Sequence, residues 1–186
     1  MTMNNVIKMA LAAMLMFFLY GCSTDIEQYK KVEKPFDIKA YFTGPVLAWG
    51  MVQNYSGQVT RRFCVEIQGS WQGNEGLLAE KFYFDDGEIT YRNWQLVKLA
   101  SGAYQGTAED VIGTATGQHS GFAFHWQYTL SVPVEDDVYQ LHLDDWMYQL
   151  DNDRVFNKTK MKKLGVTVAD ITLFFDKSAA EKRCQI

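Results

Sequence analysis

The chain has 186 residues, 47% of them hydrophobic and 22% charged, with 5 Trp, 10 Tyr, 12 Phe and only 3 Pro. That composition excludes disorder, collagen and a cysteine-stapled mini-scaffold, and the length suits one domain able to bury its own core. Eighteen Lys and Arg against 22 Asp and Glu give a formal charge of −4, so no basic footprint for nucleic acid exists.

At the N terminus, Lys8 precedes twelve uninterrupted apolar or aromatic residues, Met9 to Tyr20, and then Gly21 and Cys22. This is the order of a secretory signal: a cation, an apolar run and a small-residue cleavage site. As a helix the run spans roughly 18 Å, well short of the roughly 30 Å hydrocarbon core of a bilayer. The string Leu19-Tyr20-Gly21-Cys22 resembles the bacterial lipobox, which implies cleavage before Cys22 and acylation of its sulfur and new amino group. Several acyl chains, each burying CH₂ groups at about 0.8 kcal/mol apiece, make such an anchor effectively permanent. The expected partner at this end is a lipid bilayer reached through Cys22; the alternative is an ordinary secretory signal with a chance cysteine. Ser23 stands where lipoproteins of the inner membrane carry Asp, which by the same resemblance favours the periplasmic face of the outer membrane. Residues 1–21 are thus expected as signal peptide, 22–35 as lipidated cysteine and flexible polar tether, 36–177 as the folded domain and 178–186 as a tail.

From Val46 to Phe175 the apolar period is two, which predicts antiparallel strands near 46–54, 59–71, 77–84, 88–98, 102–108, 111–117, 121–132, 138–150, 154–162 and 166–175. Turn signals such as Ser56-Gly57, Asp86-Gly87 and Asp151-Asn152-Asp153 separate them. A meander of eight to ten strands removes its exposed edges by closing, so the fold class is all-β, an up-and-down barrel, with a two-sheet sandwich as runner-up. Only Asp37 to Thr43 and Ser178 to Arg183 have a helical pattern, one near each end.

Alternation assigns faces. Phe122, Phe124, Trp126, Tyr128 and Leu130 share an inward row, and His125 points out. Phe63, Val65 and Ile67 face in, which places Cys64 outside. A three-residue turn ending in Gly87 sets Phe84 opposite Glu88, Glu80 opposite Arg92 and Leu78 opposite Trp94. Glu80 and Arg92 are therefore expected to pair on an apolar inward face, either to satisfy each other or to present Arg92 to an anionic head group. The parity of Leu141 and Leu143 sends Asp145 and Met147 inward, with Asp145 expected in a polar network with Asn157 or Arg92. On the outer face Asp144 is expected opposite Lys160 as an ion pair, and Trp146 opposite Lys158 as a cation–π contact. Val111, Gly113, Ala115 and Gly117 form a small-residue face, explained by tight curvature or by a ligand mouth.

The stretches Tyr41-Phe42-Thr43-Gly44-Pro45 with Ala48-Trp49-Gly50, Glu80-Lys81-Phe82, Arg92-Asn93-Trp94, Tyr104 to Ala108, Asp110 to Gly113 and Asp144 to Tyr148 occur in an order that resembles domain-of-unknown-function family 3833, bacterial lipoproteins. The resemblance covers about Phe36 to Phe175 and implies a lipocalin-like (calycin) barrel on a lipid anchor, in the setting of acyl-lipid handling at the envelope. It supplies no activity and no cofactor. Gly44-Pro45 followed by Trp49 resembles the lipocalin opening, in which a first-strand Trp plugs the closed end. Lipocalins also pin their C-terminal tails by a disulfide, which makes Cys64 and Cys184 candidates for a bridge, with two free thiols as the alternative.

Three function classes remain. No His-x-x-x-His, Cys-x-x-Cys, Gly-x-Ser-x-Gly or phosphate-binding glycine loop is present, so an enzyme acting on acyl lipid would have to rely on carboxylates such as Glu80, Asp110 and Asp145, and no cofactor or metal is expected. A structural or interaction module would use exposed aromatics such as Trp146. The favoured class is a binding protein for a fatty acyl chain or other hydrophobic molecule, although Trp and Phe side chains could themselves fill the barrel. Its candidate ligand-binding residues are Glu80, Arg92, Trp94, Trp126, Tyr128, Asp145 and Met147.

Overall fold

The computed structural model describes residues 24–30, 35–134 and 136–185. Residues 1–21, expected as a signal peptide, and Cys22 lie outside the described residues. Ten strands follow one another: β1 Gly44–Asn54, β2 Val59–Gln72, β3 Glu75–Phe84, β4 Ile89–Lys98, β5 Tyr104–Thr107, β6 Val111–Ser120, β7 Ala123–Val134, β8 Asp137–Gln149, β9 Arg154–Lys163 and β10 Val166–Asp176. Each pairs antiparallel with its sequence neighbours, and β1 closes on β10 from Leu47 opposite Asp176 to Asn54 opposite Ala169. The result is a closed up-and-down barrel, not a sandwich. The predicted hairpin register holds: Glu80 lies opposite Arg92 and Leu78 opposite Trp94, with Gly87 at φ 87° in the turn.

Inward residues of all ten strands meet in one core built on Val46, Val65, Ile67, Trp94, Trp126, Leu143 and Phe175. Each such side chain taken out of water contributes about 1.5–3 kcal/mol. Its floor is sealed by the segment entering β1. Asp37 caps the short helix α1, Ile38–Tyr41, by accepting from the backbone of Lys39 at 3.0 Å, and Phe36, Ile38, Tyr41 and Phe42 are all buried. Tyr41 Oη donates to the Asp153 carbonyl at 2.9 Å, Trp71 Nε1 to the Phe42 carbonyl at 3.2 Å, and Lys177 Nζ to the Tyr41 and Thr43 carbonyls at 2.6 and 2.7 Å. Gly69 is required beneath this plug, because a Cβ there would overlap the Phe42 carbonyl oxygen.

Several expectations are corrected. Trp49 does not plug the closed end. Val46 and Ala48 face inward, so parity turns Trp49 out, where it is 37% exposed, and α1 with Phe36 takes the plugging role. Phe122 leaves the inward row because it sits in the turn before β7 and packs on Tyr29 and Tyr148. Residues 178–183 form turns in place of a helix, since the tail folds back on β1 and β2. Cys64 does point outward, but the tail covers it completely, burying it with Leu47 and Ala179. Of the tether, Ile26–Tyr29 is a 3-10 turn against β6 and β7, with Ile26 buried and Tyr29 edge-on to Trp146 and Tyr148.

Cys64 and Cys184 form a disulfide with a Cα–Cα distance of 5.6 Å, and the tail is tied further by the Cys184 amide donating to Glu66 at 3.0 Å. The bridge spans 120 residues of sequence, and a loop of that size restricts the unfolded chain strongly. Cys184→Ser is expected to lower the unfolding free energy by about 2–5 kcal/mol in urea denaturation. Reductant should shift the wild-type curve by a similar amount and leave the variant's unmoved.

Candidate functional site: the barrel interior

Above the plug the core does not close completely. A cavity of about 620 Å³ runs from Ile38 and Phe42 at the floor to Arg61, Glu88 and Pro133 at the opposite end, where exposed residues mark its mouth. That size is ordinary for a small-molecule site. Glu80, Arg92, Trp94, Trp126, Tyr128, Asp145 and Met147 all line it. The structure thus gathers the seven residues singled out in the sequence around one space, drawn from β3, β4, β7 and β8.

The lower half of the lining is aromatic. Trp94 meets Trp126 edge-on at 5.6 Å and Tyr128 at 5.2 Å, and Trp126 stacks on Phe124 at 5.6 Å. Only part of the expected small-residue face seats this cluster: a Cβ on Gly117 would overlap the Trp126 and Phe124 rings, and one on Gly106 of β5 would press on Trp126, whereas Gly113 lies exposed at the register shift in β6 with φ 72° and leaves that face. The tryptophans therefore fill the volume that small residues on β5 and β6 vacate, and the cavity persists beside them.

A polar group sits at mid-depth. Arg92 lies opposite Glu80, yet its ion pair is with Asp110: Nε donates to Oδ1 at 3.0 Å and Nη2 to Oδ2 at 2.6 Å. The cause is a gap in the wall. β5 has four residues and pairs only with Gln95–Lys98, leaving the start of β4 without a ladder on that side. Side chains from the β5–β6 connection close the gap, Asp110 by gripping Arg92 and Glu109 by accepting from the Asn93 amide at 2.9 Å and from Asn93 Nδ2 at 2.8 Å. Burial alone would lower the Arg92 pKa, and the bonds to Asp110 together with the nearby charges of Glu80 and Asp110 more than offset it, so the guanidinium stays charged.

Asp145 is buried with Asn157 and Thr159. Asn157 Nδ2 donates to it, Tyr128 Oη donates at 3.3 Å, and Thr159 Oγ1 donates to Asn157 Oδ1 at 3.2 Å. Arg92 makes no hydrogen bond to Asp145. Glu80 differs from every other acid at this level, because among the described residues no hydrogen bond or ion pair reaches it. Burial pushes its carboxyl up to about 7, with Arg92 opposing and Asp110, Asp145 and Glu109 reinforcing. Burial likewise pushes Asp145 up to about 7 against the hydrogen bonds from Asn157, Tyr128 and Thr159.

On the outer wall the predicted registers hold, Asp144 opposite Lys160 and Trp146 opposite Lys158, but the contacts differ. Asp144 bonds Lys162 at 2.6 Å and His125 at 2.7 Å, and Trp146 stacks on the His125 ring at 4.0 Å in place of a lysine. Burial would raise the Asp144 carboxyl, and the bonds from Lys162 and His125 hold it below the usual range. Trp146 is covered by Tyr29 and offers no free aromatic face, and His125 is half-buried in the same stack.

The model of the family described as proteins of unknown function (DUF3833) matches residues 16–177. The chain belongs to that family. Among curated proteins, no significant match to the chain was found. The S-type phycobiliprotein lyase CPES of Guillardia theta is similar in structure, with a TM-score of 0.55 at 7% identity over 82% of this chain and 96% of that one. Apocrustacyanin C2 aligns at a TM-score of 0.42 and 15% identity over 84% and 71% of the two chains, and lobster apocrustacyanin A1 at 0.38 and 15% over 77% and 63%. At these identities the likeness is one of fold: a lipocalin-like barrel.

The raised interior acids make stability depend on pH with a defined sign. Glu80 and Asp145 hold their protons to higher pH in the folded state than in the unfolded chain, so the stability they contribute is complete below about 4 and is lost as pH rises to about 7. Each can give a slope of up to about 1.4 kcal/mol per pH unit in that window. Glu80→Gln and Asp145→Asn, which imitate the protonated acids, are expected to match wild type near pH 4.5 and exceed it at pH 8, as measured by urea unfolding across pH.

Proposed function

We propose that this protein is a binding protein for a hydrophobic molecule of the bacterial cell envelope, held to a bilayer by acyl chains on Cys22. The observation that carries the reading is the cavity itself: about 620 Å³, walled by aliphatic and aromatic side chains, with one cluster of polar groups at mid-depth. A ten-stranded barrel folded for stability alone would fill that volume, because an unfilled core loses packing energy with every cubic ångström. Burial of a long acyl chain would gain about 0.8 kcal/mol per CH₂, ample to retain a ligand after the cost of immobilising it. The Guillardia theta protein of like fold is named a lyase, so fold does not decide between binding and catalysis. What favours binding is the lining: Arg92 is held in the wall by Asp110, and Asp145 by Asn157 and Tyr128.

The anchor rests on the Leu19-Tyr20-Gly21-Cys22 string, and the docking of Ile26–Tyr29 on the wall would set an acylated Cys22 within a few residues of the barrel surface. Cells given labelled palmitate are expected to label the wild-type protein and not a Cys22→Ala variant; equal labelling of both would remove the anchor from the proposal.

Binding is tested by native mass spectrometry of the full-length protein and by extraction of what travels with it. Lipid-like molecules are expected in stoichiometric amount. Thr90→Trp, which puts an indole into the mouth side of the cavity, is expected to fold and to lose the bound species. Protein that is empty, and that takes up no hydrophobic probe at micromolar concentration, would refute the binding role.

A further inference from the structure

The polar end of the ligand follows from the charge that the cavity leaves unmatched, an argument that rests on the binding reading above. The ionisable groups facing mid-depth are Glu80 from β3, Arg92 from β4, Tyr128 from β7, Asp145 from β8 and Asp110 from the β5–β6 connection, with Glu109 behind Arg92 in the wall. Arg92 and Asp110 cancel each other through two donor nitrogens. Asp145 is met by Asn157 and Tyr128. Arg61, the other arginine of the lining, stands at the mouth and is held by Asp86 and Glu88. What remains is Glu80, lining the cavity opposite Arg92, an acid that no hydrogen bond or ion pair reaches among the described residues.

An anionic head group placed there would find no uncommitted cation and would stand beside two acids. A hydroxyl would gain one hydrogen bond. An ammonium would pair with Glu80 and would also lie among the electron-rich faces of Trp94, Trp126 and Tyr128, which attract cations most strongly where water is excluded. We propose that the barrel selects hydrophobic molecules that carry a protonated amine, seated against Glu80 between the aromatic rings and the Arg92–Asp110 pair. This reverses the sign expected when Arg92 is taken as the free group, and the reason is Asp110. Burial pushes this carboxyl up to about 7, and a bound ammonium would draw it back towards the ionised form.

Octylamine, octanoate and octanol have chains of one length and stay dissolved, so their binding to the full-length protein by isothermal titration calorimetry at pH 8 isolates the head group. Octylamine is expected to bind at least about tenfold more tightly than the other two, since a buried charge pair with Glu80 is worth more than about 1.4 kcal/mol. At pH 6, where Glu80 is mostly protonated, the wild-type affinity for octylamine should fall about tenfold, as a group titrating near 7 requires. In Glu80→Gln the three ligands should bind within about twofold of one another, and whatever pH dependence remains reports Asp145. Octanoate or octanol binding as tightly as octylamine, or a preference for amine that survives in Glu80→Gln, overturns the proposal. The wild-type ranking decides it even if the variant does not fold. Equal binding of all three leaves the hydrophobe-binding role intact while refuting the amine, whereas binding of none refutes both.

Discussion

Everything in this molecule depends on the ladder between β1 and β10. Without those hydrogen bonds the ten strands are a long ribbon with two bare edges and an apolar face that no second layer covers. With them the face becomes an interior, and the remaining features follow as consequences of having one. A ring needs a floor, supplied by Phe36 and α1. It needs a complete wall, supplied where β5 falls short by Glu109 and Asp110 reaching across to β4. Its seam needs protection, and the tail bonded to Cys64 lies over β1 and β2 beside it.

The interior then departs from what stability alone would select. Aliphatic side chains in place of Glu80 and Asp145 would pack without loss of solvation, and burial of two acids that must keep their protons opposes folding at neutral pH. Local conflict of this kind, in a chain that elsewhere obeys its own alternation, concentrates where a protein does work. The aromatic cluster shows the same logic: glycines at 106 and 117 weaken their strands so that Trp126 can lie flat against the wall and leave space beside it.

Much of this is legible in the residues. Period-two alternation along Phe124, Trp126, Tyr128 and Leu130 gives the inward face of β7, and Asp85-Asp86-Gly87 sets a register that carries through to Glu80 and Arg92. Parity places Asp145 and Met147 inside, and the count of strands points to closure. What escapes the sequence is partnership across distance. Arg92 bonds Asp110 and not its cross-strand neighbour because β5 is short, and the length of β5 is decided by how the wall curves, which alternation does not encode. Trp49 misleads because the resemblance to a lipocalin opening implies an inward Trp, while its phase relative to Val46 and Ala48 sends it outward. Thr159 could have been found from the parity of Val155, Asn157 and Met161, whose alternation is hidden by the lysines between them.

The seam also governs when the molecule can finish assembling. Trp49 pairs with Phe174, so the first strand waits for nearly the whole chain before its second neighbour exists. Contacts of such span form late, after the entropy of a long loop has been overcome, and they slow the approach to the native state. Through that interval the growing ribbon offers a bare margin to any other copy beside it, so crowding penalises this topology during synthesis far more than afterwards. The arrival of β10 is the moment at which a sticky intermediate becomes a ring with nothing left to offer.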